Sequence, residues 1–183
     1  TYLTPNEITE PMVEMVFSTF EKSSNEKSPE IADISGGTGR FLITAKNFLN
    51  KKGFKNKEIE KRLFSFDQST LHTSLNKINF AFFKMKPNIF SVSDSLKINE
   101  FKLNKKFDIL ITNPPFGKNK YKFADEIKEN FPMEFLKKIN FTKENHSIDP
   151  CELFLLKNLM LLKDGGVLGI ILPDGLSKSN KIS

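Results

Sequence analysis

The sequence predicts an α/β fold built on a doubly wound, mostly parallel sheet. Three features carry this prediction: apolar runs of strand length alternate with segments of helical period, a glycine-rich turn follows the first strand, and the first four strands finish at aspartate or asparagine. At 183 residues and 38% hydrophobic content the chain can bury one sizeable core, so 1–183 reads as a single domain.

Thr4-Pro5-Asn6-Glu7 reads as a capping box with proline in the first helical position. Ile8, Met12, Met15, Val16 and Phe20 recur behind it at helical spacing, which predicts a helix over 5–22. A short strand at 31–34 contains Asp33 and runs into Ser35-Gly36-Gly37-Thr38-Gly39, after which Phe41, Leu42, Ala45, Phe48 and Leu49 mark the buried face of a second helix. Strand, glycine turn and helix together form the unit that lets main chain approach a nucleotide-like ligand closely. The strand at 63–66 closes on Asp67, a carboxylate placed either to accept both hydroxyls of a ribose or to cap the next helix, whose expected core face is Leu71, Leu75, Ile78 and Phe82. A third strand at 89–92 leads to Asp94.

The most informative stretch is the apolar run 107–112 followed by Asn113-Pro114-Pro115-Phe116. Neither proline can donate to a ladder, and the first restricts the residue before it, so the strand must stop at Asn113 and leave that amide at the carboxyl edge of the sheet. The Asn113 amide oxygen and the Pro114 carbonyl can accept from an exocyclic amine, while Phe116 offers a flat stacking face. Residues 117–149 show no clean period and are expected to form a flexible substrate loop. A helix capped at Asp149-Pro150, with Leu153, Leu156, Met160 and Leu161 inward, then ends at Asp164-Gly165-Gly166 before a fifth strand at 167–172.

Net charge is +6, nearly all from lysine because Arg40 and Arg62 are the only arginines; this favours an anionic partner such as nucleic acid. Cys151 is the only cysteine, and His72 and His146 the only histidines, which excludes a disulfide framework or a Cys/His zinc site within the chain. No apolar run reaches bilayer length and no signal-peptide pattern opens the chain, so the expected location is cytoplasmic, without a membrane partner.

Taken in order, these stretches resemble the S-adenosylmethionine-dependent N6-adenine DNA methyltransferases, in particular the modification subunits of type I restriction-modification systems and their single-chain type II relatives. The resemblance covers nearly the whole chain. It implies a class I, Rossmann-like methyltransferase fold that lacks the final antiparallel strand pair and the target-recognition region. Residues 1–22 would form a cofactor-capping helix, 31–116 would carry the cofactor and catalytic motifs, and 150–175 would supply the last helix and strand. Tyr2 and Thr4 are similar to the family's N-terminal cofactor motif, at the methionine end. Asp33 with Gly37, Thr38 and Gly39 looks like motif I, Asp67 like the ribose-binding acid, and Asp94 like the residue contacting the cofactor's adenine amine. Asn113, Pro114, Pro115 and Phe116 match the catalytic motif.

Two departures stand out. Gly36 is an extra glycine expected to loosen the turn, and Arg40 replaces a small residue, so its cation must point away from a sulfonium. The implied cofactor is S-adenosyl-L-methionine, and the implied partners are DNA with specificity and restriction subunits. The implied reaction is methyl transfer to N6 of an extruded adenine. RNA adenine and protein glutamine methyltransferases place a similar motif at the same strand end, and a cofactor-binding fragment inactive without a specificity partner is the third reading.

Overall fold

The computed structural model describes residues 3–23, 28–98, 105–115, 121–122, 125–138 and 147–174. Helix α1 (Asn6–Ser23) leads into β1 (Ile31–Asp33), α2 (Arg40–Lys51), the short α3 (Asn56–Ile59), β2 (Leu63–Asp67), α4 (Thr70–Ala81) and β3 (Asn88–Ser91). There follow β4 (Phe107–Thr112), β5 (Tyr121–Lys122), α5 (Asp125–Asn130), α6 (Met133–Lys138), β6 (Ser147–Ile148), α7 (Pro150–Leu161) and β7 (Leu162–Ile170). Five strands pair in the order β3-β2-β1-β4-β7, all parallel, and β5 pairs with β6 as a separate antiparallel ladder. The strand order reverses between β1 and β4, the crevice where open sheets of this type bind ligands.

Side chains from the sheet's two faces fill two cores. One packs Val13, Phe17 and Phe20 of α1, Phe41, Leu42 and Leu49 of α2, and Phe80 of α4 around Ile31, Ile109 and Ile111. The other packs Leu153, Phe154 and Leu156 of α7 against Phe64, Phe66, Phe107 and Leu110. Phe66, Phe80, Phe107 and Phe131 are fully buried, each worth roughly 1.5–3 kcal/mol relative to exposure.

Several expectations are corrected here. The buried stripe of α1 is Thr9, Val13, Val16, Phe17 and Phe20, leaving Ile8 and Met15 exposed, because the helix turns this face to α2 and β7. On α4 the expected core face is the outer one: Leu71, Leu75, Ile78 and Phe82 are 65%, 38%, 53% and 81% exposed, while Thr73, Asn76 and Phe80 face inward. Within 117–149, the described residues form α5, α6 and parts of the small ladder, and Ile127, Phe131, Leu136 and Ile148 are buried, so this portion belongs to the core instead of a free loop. Lys157 pins it from below: its ammonium donates to the carbonyl of Asn130, the last residue of α5, and lies 4.4 Å from the Phe131 ring centroid.

Helix α7 starts as expected, with Asp149 accepting from the Cys151 N–H, but it stops at Leu161 and Leu162 already pairs with Phe107. Asp164-Gly165-Gly166 therefore lies in a bulge of the strand instead of ending the helix, and pairing resumes at Ile109 with Val167. Lys163 on that bulge reaches both Asp108 and Glu30. Burial alone would lower its ammonium, but those two carboxylates together raise it.

Candidate functional site

The carboxyl ends of β1 to β4 make one rim, drawn together by hydrogen bonds between residues distant in sequence. Asp33 at the end of β1 is buried, and its Oδ1 accepts from the Ser35 N–H at 2.9 Å and from the Thr112 hydroxyl at 2.7 Å. The ends of β1 and β4 are thus tied one residue before Asn113. Burial pushes the Asp33 carboxyl up from 3.8 to about 7; the Thr112 and Ser35 hydrogen bonds oppose that shift and the Asp67 charge adds to it.

The glycine turn sits on the neighbouring strand. Gly36 donates to the Phe66 carbonyl at 2.9 Å and Gly37 to Asp67 Oδ2 at 2.8 Å. Gly37 and Gly39 hold φ of 50° and 87°, the left-handed region where glycine is favoured. A Cβ at Gly36 would lie 1.9 Å from Ser65 Oγ, and one at Gly39 2.3 Å from Asn76 Oδ1. Gly36 therefore does not loosen the turn; it lets the turn seat directly on β2. At Gly37 the nearest atom to a built Cβ is the Ser35 carbonyl oxygen at 3.9 Å, so space is open over this one glycine.

Asp67 is more committed than its sequence position implies. Its Oδ1 accepts from the Ser69 N–H and lies 3.3 Å from His72 Nδ1, while Oδ2 takes the Gly37 N–H. One acceptor position on Oδ2 remains for a hydroxyl. The cap of α4 is Ser69, which accepts from the His72 N–H; Asp67 steadies the residue that caps. Asp94 accepts from the Leu96 N–H, and its strand joins the rim through the Val92 N–H to the Asp67 carbonyl.

Asn113 ends β4 with its two amide ends in different states. Its Nδ2 donates to Thr4 Oγ1 at 3.0 Å, whereas Oδ1 is buried and has no partner among the described residues. Pro114 is buried and Pro115 exposed. The Pro115 carbonyl lies 3.9 Å from the thiol of Cys151, which burial and then the Asp149 charge push up to about 12, so it stays protonated. Arg40 points away from the turn, donating to Asn6 Oδ1 at 2.6 Å. Tyr2, Phe116 and His146 lie outside the described residues.

Sequence reasoning missed the residues that hold the turn from behind. Asn76 donates to Ser65 Oγ at 2.9 Å and Asn79 to the Thr38 carbonyl at 2.9 Å. The available signal was their spacing of three, which puts both amides on one face of α4. A groove of about 590 Å³ between α1 and α2, bordered by Glu10, Glu14, Arg40 and Lys51, reaches Thr38 of the glycine turn and Asn79 of α4 but contains none of the strand-end acids. Among the described residues no cluster of His, Cys, Asp and Glu could hold a metal, and no helix is long and apolar enough to cross a membrane.

The family model described as N-6 DNA methylase matches residues 1–182. The type II methyltransferase M.MamI of Microbacterium ammoniaphilum is 31% identical over 143 residues, which are 72% of this chain and 39% of that protein. The release factor glutamine methyltransferase of Flavobacterium psychrophilum is 32% identical over 118 residues, 64% of this chain and 37% of that protein. The chain thus spans about two fifths of the length of these curated relatives. A Vibrio vulnificus YJ016 structure described as the modification subunit of a type I restriction enzyme superposes with a TM-score of 0.72 at 21% identity, covering 99% of this chain and 36% of that one. The parallel sheet also has the fold of a Listeria monocytogenes structure described as a class I S-adenosylmethionine-dependent methyltransferase, which superposes with a TM-score of 0.70 at 23% identity, covering 98% of this chain and 49% of that one. With strand order, glycine turn and Asn-Pro-Pro edge agreeing with a match over 1–182, the chain belongs to the N-6 DNA methylase family.

Proposed function

We propose that this chain is the cofactor-binding and catalytic core of an S-adenosylmethionine-dependent methyltransferase acting on N6 of adenine in DNA, as the modification part of a restriction-modification system. The observation that carries this reading is the Asn113 amide oxygen, buried, without a partner among the described residues, and one residue from the Thr112–Asp33 tie beside the glycine turn. A buried acceptor left unpaired costs about 1–3 kcal/mol, a cost removed when a substrate amine donates to it.

The residues fit an adenosyl cofactor. Open space over Gly37 lets its main chain meet a ligand, Asp67 keeps one acceptor position for a ribose hydroxyl, and Asp94 lies just past the end of β3, capping the short turn at 95–97. Asp33 ties β1 to β4 beside the turn, and Asn79 holds the Thr38 carbonyl. When bound, S-adenosylmethionine supplies an electrophilic methyl on a sulfonium.

Asn113 acts on the acceptor. The exocyclic nitrogen of adenine is a weak nucleophile because its lone pair is delocalised into the ring. A hydrogen bond from that amine to Asn113 Oδ1, and a second to the Pro114 carbonyl, favours a tetrahedral nitrogen whose lone pair can attack. With a cofactor bound, these two acceptors would hold the amine with its lone pair towards the methyl group, and the proton it sheds would leave to water. Such assistance is positional and electrostatic. The base must leave the duplex to reach this edge, with Phe116 as the stacking partner. Specificity and restriction subunits are the expected protein partners.

A second reading, transfer to a protein glutamine, is favoured by the 32% identity to a glutamine methyltransferase, since Asn113 Oδ1 could equally accept from a carboxamide. Transfer of tritium from labelled cofactor to DNA, RNA or protein substrates separates the readings, and label in protein alone would overturn the adenine assignment. Asn113→Ala is expected to abolish transfer while calorimetric cofactor affinity stays within about twofold, because the lost amide meets Thr4 and the methyl acceptor and not the glycine turn.

A further inference from the structure

We propose that Thr4 is a positioning residue for Asn113: its hydroxyl holds the nitrogen end of the amide and so presents the oxygen end to the substrate. This rests on the methyl-acceptor reading of Asn113 given above. Two independent observations support it.

The first is the asymmetry of the amide itself. A primary amide that must offer its oxygen can rotate about its last torsion and offer its nitrogen instead, which would repel an incoming amine by placing donor against donor. In the structure one contact engages the nitrogen end, Nδ2 donating to Thr4 Oγ1 at 3.0 Å, and the oxygen left over is the buried one without a partner among the described residues.

The second concerns the start of α1. Thr4-Pro5-Asn6-Glu7 has the sequence of a capping box, in which the threonine hydroxyl would accept from the helix's own main chain. The helix instead starts at Asn6, with the Pro5 carbonyl accepting from the Ile8 and Thr9 N–H groups, and the Thr4 hydroxyl turns out across the chain to a residue 109 positions away. A side-chain cap is worth about 1 kcal/mol to a helix, so its diversion indicates a different use for the hydroxyl.

The contact also connects the two halves of the site. Arg40, the residue directly after the glycine turn, holds Asn6, and two residues before Asn6 stands Thr4 on Asn113. The geometry of the amide is therefore set from the start of α1 as well as from β4. Thr4 touches Asn113 and bears on the substrate through it, a role distinct from the cofactor-contacting one implied by family resemblance.

Three variants test this in the full chain: Thr4→Val, which is isosteric but cannot accept, Thr4→Ser, which can, and Asn113→Ala. The first readout needs no substrate. In nitrogen-15 spectra the Asn113 side-chain amide protons should exchange slowly with solvent in the wild type and in Thr4→Ser, and at least about fivefold faster in Thr4→Val. The second is turnover on whichever of DNA, RNA or protein the wild type methylates. There Thr4→Val should lower kcat about 10- to 100-fold while KM and Kd for S-adenosylmethionine stay within about twofold, and Thr4→Ser should recover most of the loss. Unchanged amide exchange in Thr4→Val overturns the proposal, as does a fall in cofactor affinity matching the fall in turnover. Label transferred only to protein would defeat the adenine reading and leave the Thr4 result standing, so the two failures are distinguishable.

Discussion

Helices α2 and α4 follow consecutive strands onto the same face of the sheet, yet they bury different surfaces. Helix α2 turns Phe41, Leu42, Ala45 and Leu49 inward beneath α1, as its periodicity predicts. Helix α4 turns inward Thr73, Asn76 and Phe80, and leaves its regular apolar stripe outside. The difference lies in what each helix packs on. Helix α2 lies over β1 in the middle of the sheet, where its inward face is apolar but for Lys46, whose ammonium sits 3.9 Å from the Phe83 ring centroid. Helix α4 lies over β2 and the edge strand β3, behind the glycine turn, and its inner face must satisfy polar groups: the Ser65 hydroxyl and the Thr38 carbonyl. One helix serves the core and the other serves the site.

The largest effect that sharpens this comparison is expected at Gly39. An added Cβ must accept a left-handed φ, costing roughly 1–2 kcal/mol, and displace Asn76 Oδ1, which would lie 2.3 Å away. Overpacking of that kind typically costs a further 1–3 kcal/mol or so, and Gly39→Ala should therefore destabilise by about 2–5 kcal/mol in urea titrations. The decisive measurement is the double variant Gly39→Ala with Asn76→Ala. If α4 is held by its amides, the two changes couple by about 1 kcal/mol or more, because removing the Asn76 side chain relieves the clash. Strict additivity would mean that Asn76 does not bear on the turn.

Asp33 tests the same polar layer from the sheet side. Its carboxyl has a folded-state pKa of about 7 against 3.8 when free, so between those values the folded protein keeps a proton that the unfolded chain has released. This contribution favours folding at low pH and is lost as pH rises through about 7. At about 1.4 kcal/mol per pK unit, it amounts to of order 2 kcal/mol once solvent and structural relaxation are allowed for. Asp33→Asn keeps an oxygen for Thr112 and Ser35 but cannot titrate. The variant should match the wild type near pH 4 and exceed its stability near pH 8, with the difference growing across the interval. A difference that stays flat over that range would show that Asp33 ionises freely and that the β1–β4 tie is not buried as described.

What was legible in the sequence divides along the same line. The strands and their polar ends could be read because a parallel strand is an apolar run with a sharp stop, and Asp33, Asp67 and Asn113 mark the stops at β1, β2 and β4. The glycine turn was legible for the same local reason. The inward face of α4, the tight seating of Gly36 on Ser65 and the diversion of Thr4 were not, because each depends on a hydrogen bond or contact between residues far apart in sequence. Periodicity records where apolar residues recur; it carries no record of which polar residue a distant strand requires. The bulge at 163–166 escaped for a related reason, since Asp-Gly-Gly reads equally well as a helix stop, and only the Asp108 and Glu30 carboxylates waiting for Lys163 decide otherwise.

The smallest effect is expected on the outer stripe of α4, and its smallness is what makes it informative. Leu71, Ile78 and Phe82 keep more than half of their surface exposed in the fold, so Leu71→Ser, Ile78→Ser and Phe82→Ser should each change stability by no more than about 0.5–1 kcal/mol. Were the helix rolled over so that this stripe met the sheet, as its spacing alone suggests, each substitution would remove a buried side chain and cost about 2–5 kcal/mol. The two outcomes differ severalfold and are separable in a single set of denaturation curves. A large loss at Ile78 would place the apolar face of α4 inward like that of α2, and would release Asn76 and Asn79 from the turn they are described as holding.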